Sequence, residues 1–255
     1  MSQIQAIVEQ FTKLAGAYSI APHIQDGQAL DWLLEATRAT RVDTSLDVAC
    51  GTGTLACHFA GSVLQATGVD VTPAMLDQAR ELQQKLGLKN IAWQIADVNL
   101  LPFADSSFSI VTCRYALHHF ERPTEVLHEM VRVCASGGRV AIADLAVSED
   151  TDRAANFNEL ERIHDPTHLR ALSLSEHLDL FARAGLPPPE VQRYAVEFTL
   201  TRLRKALAAA PDRAAAAEKL VRRSLVDDAL GINSREIEGE IRFAYPIVIL
   251  CSSKP

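Results

Sequence analysis

The sequence predicts an α/β protein built on a doubly wound, mostly parallel sheet. Three observations predict it. Between residues 44 and 145 short apolar runs alternate with segments of helical period. One run, "FSIVTCR" at 108–114, is apolar almost throughout, as a strand covered on both faces must be. The first run, "SLDVA" at 45–49, ends in a turn carrying Gly51 and Gly53.

The elements follow in order. The chain looks helical around Ile7 to Ala17 and again around Ala29 to Ala36. After the strand at 45–49, "LACHFAGSVL" (55–64) has helical character and "ATGVDV" (66–71) is a second strand. Thr72-Pro73 reads as an N-cap followed by proline at the first helical position. The helix "AMLDQARELQQKL" then places Met75, Leu76, Ala79, Leu82 and Leu86 along one side, and Gly87 stops it. "IAWQIA" (91–96) is the third strand and 108–114 the fourth. Pro123 opens "TEVLHEMVRVC", the "SGG" turn at 136–138 is expected to end it, and "RVAIADL" (139–145) is the fifth strand. Strands separated by helices close a parallel sheet through right-handed crossovers. Beyond residue 145 the rhythm changes: an amphipathic helix at 172–186, a strand at 189–200, an Ala-, Leu- and Arg-rich helical stretch at 201–232 despite Pro211, and a last strand at 241–253.

Bulk composition narrows the function. The 255 residues are 48% hydrophobic, enough to fill a sizeable core as one domain. The net charge of −7 carries no basic run of the kind a nucleic-acid binder needs, and Arg202 to Lys205 and Arg222-Arg223 read as solvated helix faces. The cysteines, Cys50, Cys57, Cys113, Cys134 and Cys251, are odd in number and share no C-x-x-C spacing, so a reduced, cytoplasmic setting is expected. No signal peptide and no apolar run long enough to cross a membrane is read from the chain, and no metal-ligand set is apparent.

The glycine turn asks which ligand it holds. Gly51 and Gly53 tolerate positive φ and let a ligand approach the backbone ahead of a helix N-terminus. Gly51-x-Gly53-x-x-Ala56 with Asp70 downstream fits a dinucleotide and S-adenosylmethionine alike. Asp47, just before the turn, separates the two readings. A carboxylate there repels a pyrophosphate at short range and attracts the ammonium and sulfonium of S-adenosylmethionine. Asp70 ends the second strand, where a carboxylate accepts from ribose hydroxyls. Asp97, after the third strand, is placed to accept from an adenine amine, with the Val98 backbone N–H beside it. The alternative for Asp97 is an ordinary Asx-turn.

At these residues the chain resembles a known family. "LDVACGTG", "GVDVTPAML", "IADVNLLPFADSSFSIV", "ALHHF" and "RVCASGGRVAIADL" stand in the order and spacing of class I S-adenosylmethionine-dependent methyltransferases, most closely the ubiquinone/menaquinone-biosynthesis-type branch and its small-molecule relatives. The resemblance covers roughly residues 10 to 190. It implies a Rossmann-like, seven-stranded sheet with an antiparallel edge strand, N-terminal helices, and a helical insertion before the last strand. Within a single domain of residues 1–255, that divides into an N-terminal cap (1–43), a cofactor-binding core (44–200), an insertion or lid (201–240) and the last strand (241–255). It also implies S-adenosyl-L-methionine as methyl donor, held by Asp47, Ala49, Gly51, Gly53, Asp70, Val71, Asp97, Val98 and Arg114. Phe11 and Tyr18 resemble the aromatic pair that closes over that cofactor. Two letters depart from the pattern: Ala49 stands where many relatives have glycine, and Ser109 where "FD" is usual. A narrower likeness, in "CRYALHHF" and "NELERIHDPTHLRALS", is to a subgroup with a D-P-[ST]-H-x-R signature.

Methyl transfer needs an aligned nucleophile, and a base only where a proton must leave. Candidates at the carboxyl ends of the parallel strands are Tyr115, His119 and His168 for catalysis, and His118, Asp144, His164 and Arg170 for substrate binding. His168 and Arg170, after a proline in a loop expected to face the cleft, suit an anionic or phenolic substrate, with a salt-bridged loop through Asp165 as the alternative. The 201–232 stretch suits a lid, a homodimer contact or a packing subdomain. A small-molecule acceptor is expected, methylated at O, N or C by in-line attack. The competing readings are a nicotinamide-dependent oxidoreductase and a non-methylating binder of the same cofactor.

Overall fold

A computed structural model of the chain describes residues 2–255. The parallel core runs β1 (Thr44–Val48), α3 (Thr54–Ala60), β2 (Gln65–Asp70), α4 (Pro73–Leu86), β3 (Ile91–Ile95), β4 (Phe108–Arg114), α5 (Pro123–Val133) and β5 (Cys134–Val147). Two helices precede it, α1 (Gln3–Ser19) and α2 (Gly27–Ala36). After it come α6 (Thr151–His164), the two-residue β6 (Leu172–Ser173), α7 (Leu174–Arg183), β7 (Glu190–Thr199), α8 (Leu200–Ala206), α9 (Pro211–Asp227), the short β8 (Arg235–Ile237) and β9 (Glu240–Ser253).

Seven strands lie in the order β3-β2-β1-β4-β5-β9-β7, while β6 pairs in parallel with the end of β5 and β8 pairs with β9. The pairings from β3 across to β5 are parallel, and β9 is antiparallel to both β5 and β7. The antiparallel edge expected from the sequence is therefore a β7–β9 pair with β9 on the inside, and the insertion α8–α9 links the two. From β1 the chain winds outward through β2 to β3 and then returns to β4 on the other side. The carboxyl ends of β1 and β4 part at that reversal, which is where an open α/β sheet leaves a crevice.

Helices cover both faces. Leu30 and Leu33 of α2, with Leu55 and Phe59 of α3, pack on one side of the sheet. Val126, Leu127 and Met130 of α5, with Leu180 and Phe181 of α7, pack on the other. A third core lies beneath the insertion, where Phe157, Leu200, Leu203 and Val221 meet Phe243 and Tyr245. Local signals account for the ends: Pro211 begins α9 at its first turn, and Gly87 (φ +67°) closes α4. Boundaries differ from the expectation at three places: residues 172–173 form β6 ahead of α7, the 201–232 stretch divides into α8 and α9, and β5 starts at Cys134. The "SGG" turn does not end a helix but lies inside β5, where Gly137 (φ +73°) bulges and Gly137 and Gly138 exchange backbone hydrogen bonds with Lys254.

Candidate active site

The turn after β1 is held by its neighbours rather than by itself. The Gly51 N–H donates to Asp70 Oδ2 and the Thr72 N–H to Asp70 Oδ1, both at 2.8 Å. Asp70 thus ties the glycine turn to the start of α4, and burial raises its carboxyl above the usual range. Asp47 is 4% exposed. Burial pushes it up to about 7, against the opposing pull of Arg114 and a 3.1 Å hydrogen bond from Thr112 Oγ1.

The two glycines do different work. Gly51 (φ +52°) lines a cavity of about 300 Å³ at the carboxyl ends of β1, β2 and β4. Gly53 (φ +75°), expected to let ligand approach, is not on that cavity wall; a Cβ there would stand 2.5 Å from the Trp93 ring and 2.7 Å from Ala79. Gly53 is required because Trp93 packs on it, as Trp93 also does on Gly68. Ala49 holds φ +54°, a left-handed conformation that explains why glycine is usual there.

The remaining predicted cofactor residues, Tyr18, Asp47, Ala49, Asp70, Val71, Asp97, Val98 and Arg114, all border this cavity. Asp97 Oδ1 accepts from the Asn99 N–H and Nδ2, the Asx-turn anticipated for it, and Oδ2 has no protein partner. Arg114 donates through Nη2 to the Ile24 carbonyl at 2.7 Å and lies over the Tyr115 ring. Its Nη1 is buried with no hydrogen-bond partner. Phe11 and Tyr18 meet edge to face at 5.9 Å between ring centroids.

A second cavity of about 280 Å³ adjoins the first and shares Phe11, Tyr18, Tyr115 and His119 with it. Its apolar wall comes largely from the insertion and the outer strands: Val196 and Phe198 of β7, Leu203 of α8, and Phe243, Tyr245 and Ile247 of β9. Helix α1 roofs both cavities. Ile4 and Ile7 face the first, Gln10, Leu14 and Ala17 the second, and the Gln3 side chain donates to the carbonyls of His119 and Thr167.

The histidines sort into distinct environments. His119 Nδ1 lies 3.1 Å from the Thr167 carbonyl, so it carries the proton. Burial and the neighbouring His118 pull His119 down to about 4, which keeps it neutral. His168, expected in the cleft with Arg170, does line the second cavity, but it is only 2% exposed and its Nε2 is turned to α6. Its Nε2–H donates to Asn158 Oδ1 at 2.8 Å, and burial pulls it down to about 2. Arg170 turns outward to pair with Glu176 at the surface and borders neither cavity. The two residues separate because the Asp165–Thr167 turn buries one side of the loop. Asp144, expected to touch substrate, also borders neither cavity. Its Oδ2 accepts from the Ala116 and Leu117 N–H groups, and its Oδ1 from the Leu145 N–H and His118 Nδ1. The Tyr115 and Tyr194 hydroxyls share a hydrogen bond at 2.7 Å in which either can donate, and Tyr115 borders both cavities. His118 and His164 do line the second cavity.

Several lining residues escaped the sequence reading. His23, Glu161, Phe198, Arg202, Phe243 and Tyr245 meet in the second cavity from widely separated segments. Arg202, read as part of a solvated face, donates to His23 Nδ1 at 2.7 Å and lies over the Phe198 ring. Among the described residues no cluster of His, Cys, Asp or Glu is arranged to hold a metal ion, and no helix is long and apolar enough to cross a membrane.

A crevice at the switch point of a doubly wound sheet, ringed by strand-end carboxylates and joined to an apolar chamber, defines a cofactor-dependent transferase of the Rossmann-like class. Comparison with known proteins agrees. Residues 46–142 match the family described as "Methyltransferase domain". The uncharacterized methyltransferase YcgJ of Bacillus subtilis is 33% identical over 184 residues, 72% of this chain and 73% of that protein. Its crystal structure superposes with a TM-score of 0.83 at 26% identity over 89% of this chain and 98% of that one. A putative methyltransferase from Bacillus halodurans gives the same TM-score at 25% identity, covering 90% of this chain and all of that one. The ubiquinone/menaquinone biosynthesis C-methyltransferase UbiE of Desulfotalea psychrophila is 31% identical over 150 residues, 56% of this chain and 60% of that protein. The chain belongs to the class I S-adenosylmethionine-dependent methyltransferases.

Proposed function

We propose that the first cavity holds S-adenosylmethionine and the second a small-molecule acceptor, with the methyl group passing between them beside Tyr18, Tyr115 and His119. The observation that carries this reading is the polar inventory of the first cavity: three strand-end carboxylates and one buried guanidinium N–H with no partner. Asp47, Asp70 and Asp97 oppose a pyrophosphate and suit an ammonium, a ribose and an adenine amine, while Arg114 Nη1 suits a carboxylate. A dinucleotide could satisfy Asp70 and Asp97 through its ribose and adenine, but it would set its pyrophosphate against Asp47. S-adenosylmethionine supplies an electrophilic methyl on a sulfonium. The protein aligns the acceptor and keeps water from the chamber with apolar side chains.

The acceptor chamber is lined largely by aromatic and aliphatic groups. It suits a small, flat, mostly apolar molecule, consistent with relatives named for quinone C-methylation. All five cysteines are free, which accords with a reduced cytoplasmic setting.

Calorimetry with S-adenosylhomocysteine tests the assignment. Wild-type protein is expected to bind it and to ignore NADH. Arg114→Met is expected to weaken binding about 10- to 100-fold, the worth of one hydrogen bond to a charged group. Binding of NADH in preference, or an Arg114→Met protein of undiminished affinity, overturns the reading. Tight binding with no S-adenosylhomocysteine formed from any acceptor pool supports the non-methylating alternative instead.

A further inference from the structure

The geometry points to His118 as the catalytic base of the acceptor cavity, held in place by Asp144, and to an acceptor that carries an acidic hydroxyl of phenolic or enolic type. The inference rests on the placement of acceptor in the second cavity and adds to it the group that takes the proton.

His118 sits in a single 3₁₀ turn, Leu117–His119, at the carboxyl end of β4. Its Nδ1 lies 2.5 Å from Asp144 Oδ1. Asp144 is 1% exposed and is fixed by three backbone N–H groups besides His118, so it has no freedom to serve the ligand directly. A carboxylate accepts, so Nδ1 donates, and that sets the tautomer: the lone pair of neutral His118 is on Nε2. Nε2 makes no hydrogen bond to the protein and is not fully buried, whereas His168 Nδ1 is both buried and without a partner. His118 therefore offers the cavity an open lone pair backed by a fixed carboxylate.

No other group in the cavity combines these properties: His164 Nδ1 stands 3.8 Å from Glu161 Oε1, beyond hydrogen-bond reach. His119 lies alongside, 4.3 Å between ring centroids, but has a carbonyl and a hydroxyl behind it rather than a carboxylate. His168 has its open nitrogen sealed away. Glu161 accepts from the Tyr245 hydroxyl at 2.6 Å, and Asp165 from the Thr167 N–H and hydroxyl. Arg202, on the opposite side of the chain's fold, enters the cavity with no carboxylate partner among the described residues and favours an acceptor that becomes anionic.

The base selects the acceptor. A phenol ionises near pH ~10, close enough to a carboxylate-backed imidazole for the proton to move as the new bond forms. The acceptor O–H gives its proton to His118 Nε2, its oxygen or the conjugated ring carbon forms the bond to the methyl carbon, and the methyl–sulfur bond breaks with its electron pair remaining on sulfur. For attack through carbon, the ring proton at that carbon leaves afterwards to water. The imidazolium left on His118 is paired with Asp144. The charges facing His118 are Asp144 from β5, Glu161 and His164 from α6, Asp165 and His168 from the segment after it, and His119 beside it. Burial pulls His118 down, and Asp144, Glu161 and Asp165 together lift it above an ordinary histidine.

The test uses phenol, whose ionised form absorbs at a longer ultraviolet wavelength, titrated at pH ~8.5, above the ordinary histidine range and below phenol's own pKa near ~10, into protein with and without S-adenosylhomocysteine. The phenolate difference band is expected to grow to saturation with wild-type protein and to fall at least tenfold in His118→Gln, while calorimetry shows unchanged S-adenosylhomocysteine affinity. Histidine-labelled NMR of the unaltered protein reads the same step without a substitution: Nε2 of His118 is expected to gain a proton as the probe binds. A probe that fails to bind, binds without ionising, or ionises equally in His118→Gln overturns the assignment, as does an unchanged His118 resonance. Probe ionisation without S-adenosylhomocysteine binding keeps His118 as the base and removes only the cofactor reading.

Discussion

The two cavities are nearly equal in size and share a wall, yet they are built by opposite means. The first is assembled from strand ends. Asp47, Asp70, Asp97 and Arg114 each lie at or just past the end of a parallel strand, so the sheet sets their spacing. The second is assembled from α1, the loop after α6, and a β7–β9 pair joined by an insertion. Its polar groups owe their positions to side-chain networks such as Asp144 with His118 and Asn158 with His168. A site set by backbone topology recurs wherever the fold recurs. A site set by side-chain networks on outer elements varies without cost to the sheet, which is why methyltransferases keep their donor and change their acceptor.

The sharpest way to separate fold from ligand binding in the first region is Gly53→Ala. A Cβ at φ +75° meets both conformational strain and the Trp93 ring, and the expected loss is about 3 kcal/mol. That corresponds to a melting temperature lowered by roughly 6–12 °C. Because Gly53 is off the cavity wall, S-adenosylhomocysteine affinity at low temperature is expected to be unchanged. A large loss of affinity in protein that melts normally would return Gly53 to the ligand.

Asp47 offers the next contrast, since burial holds it at about 7. With its pKa raised from 3.8 to about 7, it is protonated below that value and charged above it. An ammonium is attracted only by the charged form. S-adenosylhomocysteine binding is therefore expected to weaken about tenfold per pH unit below about 7, and Asp47→Asn to flatten the profile. The free protein shows the opposite trend. A raised folded-state pKa means the native state binds the extra proton, so this group's contribution to stability falls as pH rises from 3.8 toward 7. Calorimetry and thermal melts across that range check both signs.

The smallest effect is expected from Arg170→Ala. An exposed ion pair with Glu176 is worth under about 1 kcal/mol, and a residue outside both cavities leaves donor and acceptor binding alone. A shift in probe affinity would bring Arg170 back into the acceptor chamber.

Legibility in the sequence followed the same division. Apolar periodicity located the core strands and their helices, and Asp47, Asp70 and Asp97 were found because strand ends are local features. The three residues that fall off both cavity walls, Gly53, Asp144 and Arg170, differ from the expectation in facing. Neither the seating of Trp93 on two glycines nor the outward turn of Arg170 is a property of neighbouring letters. The acceptor chamber was least legible, since Gln10, His118, Glu161, Arg202 and Tyr245 converge only through the tertiary fold. His118 and Asp144 were singled out as neighbours of substrate. That one orients the other is a matter of a rotamer, 26 residues apart in the chain.

Helix α1 is a rod of 17 residues, and it caps both chambers at once. Residues from its first turns line one chamber and residues from its last turns line the other, so a change in the seating of α1 would reshape both walls together.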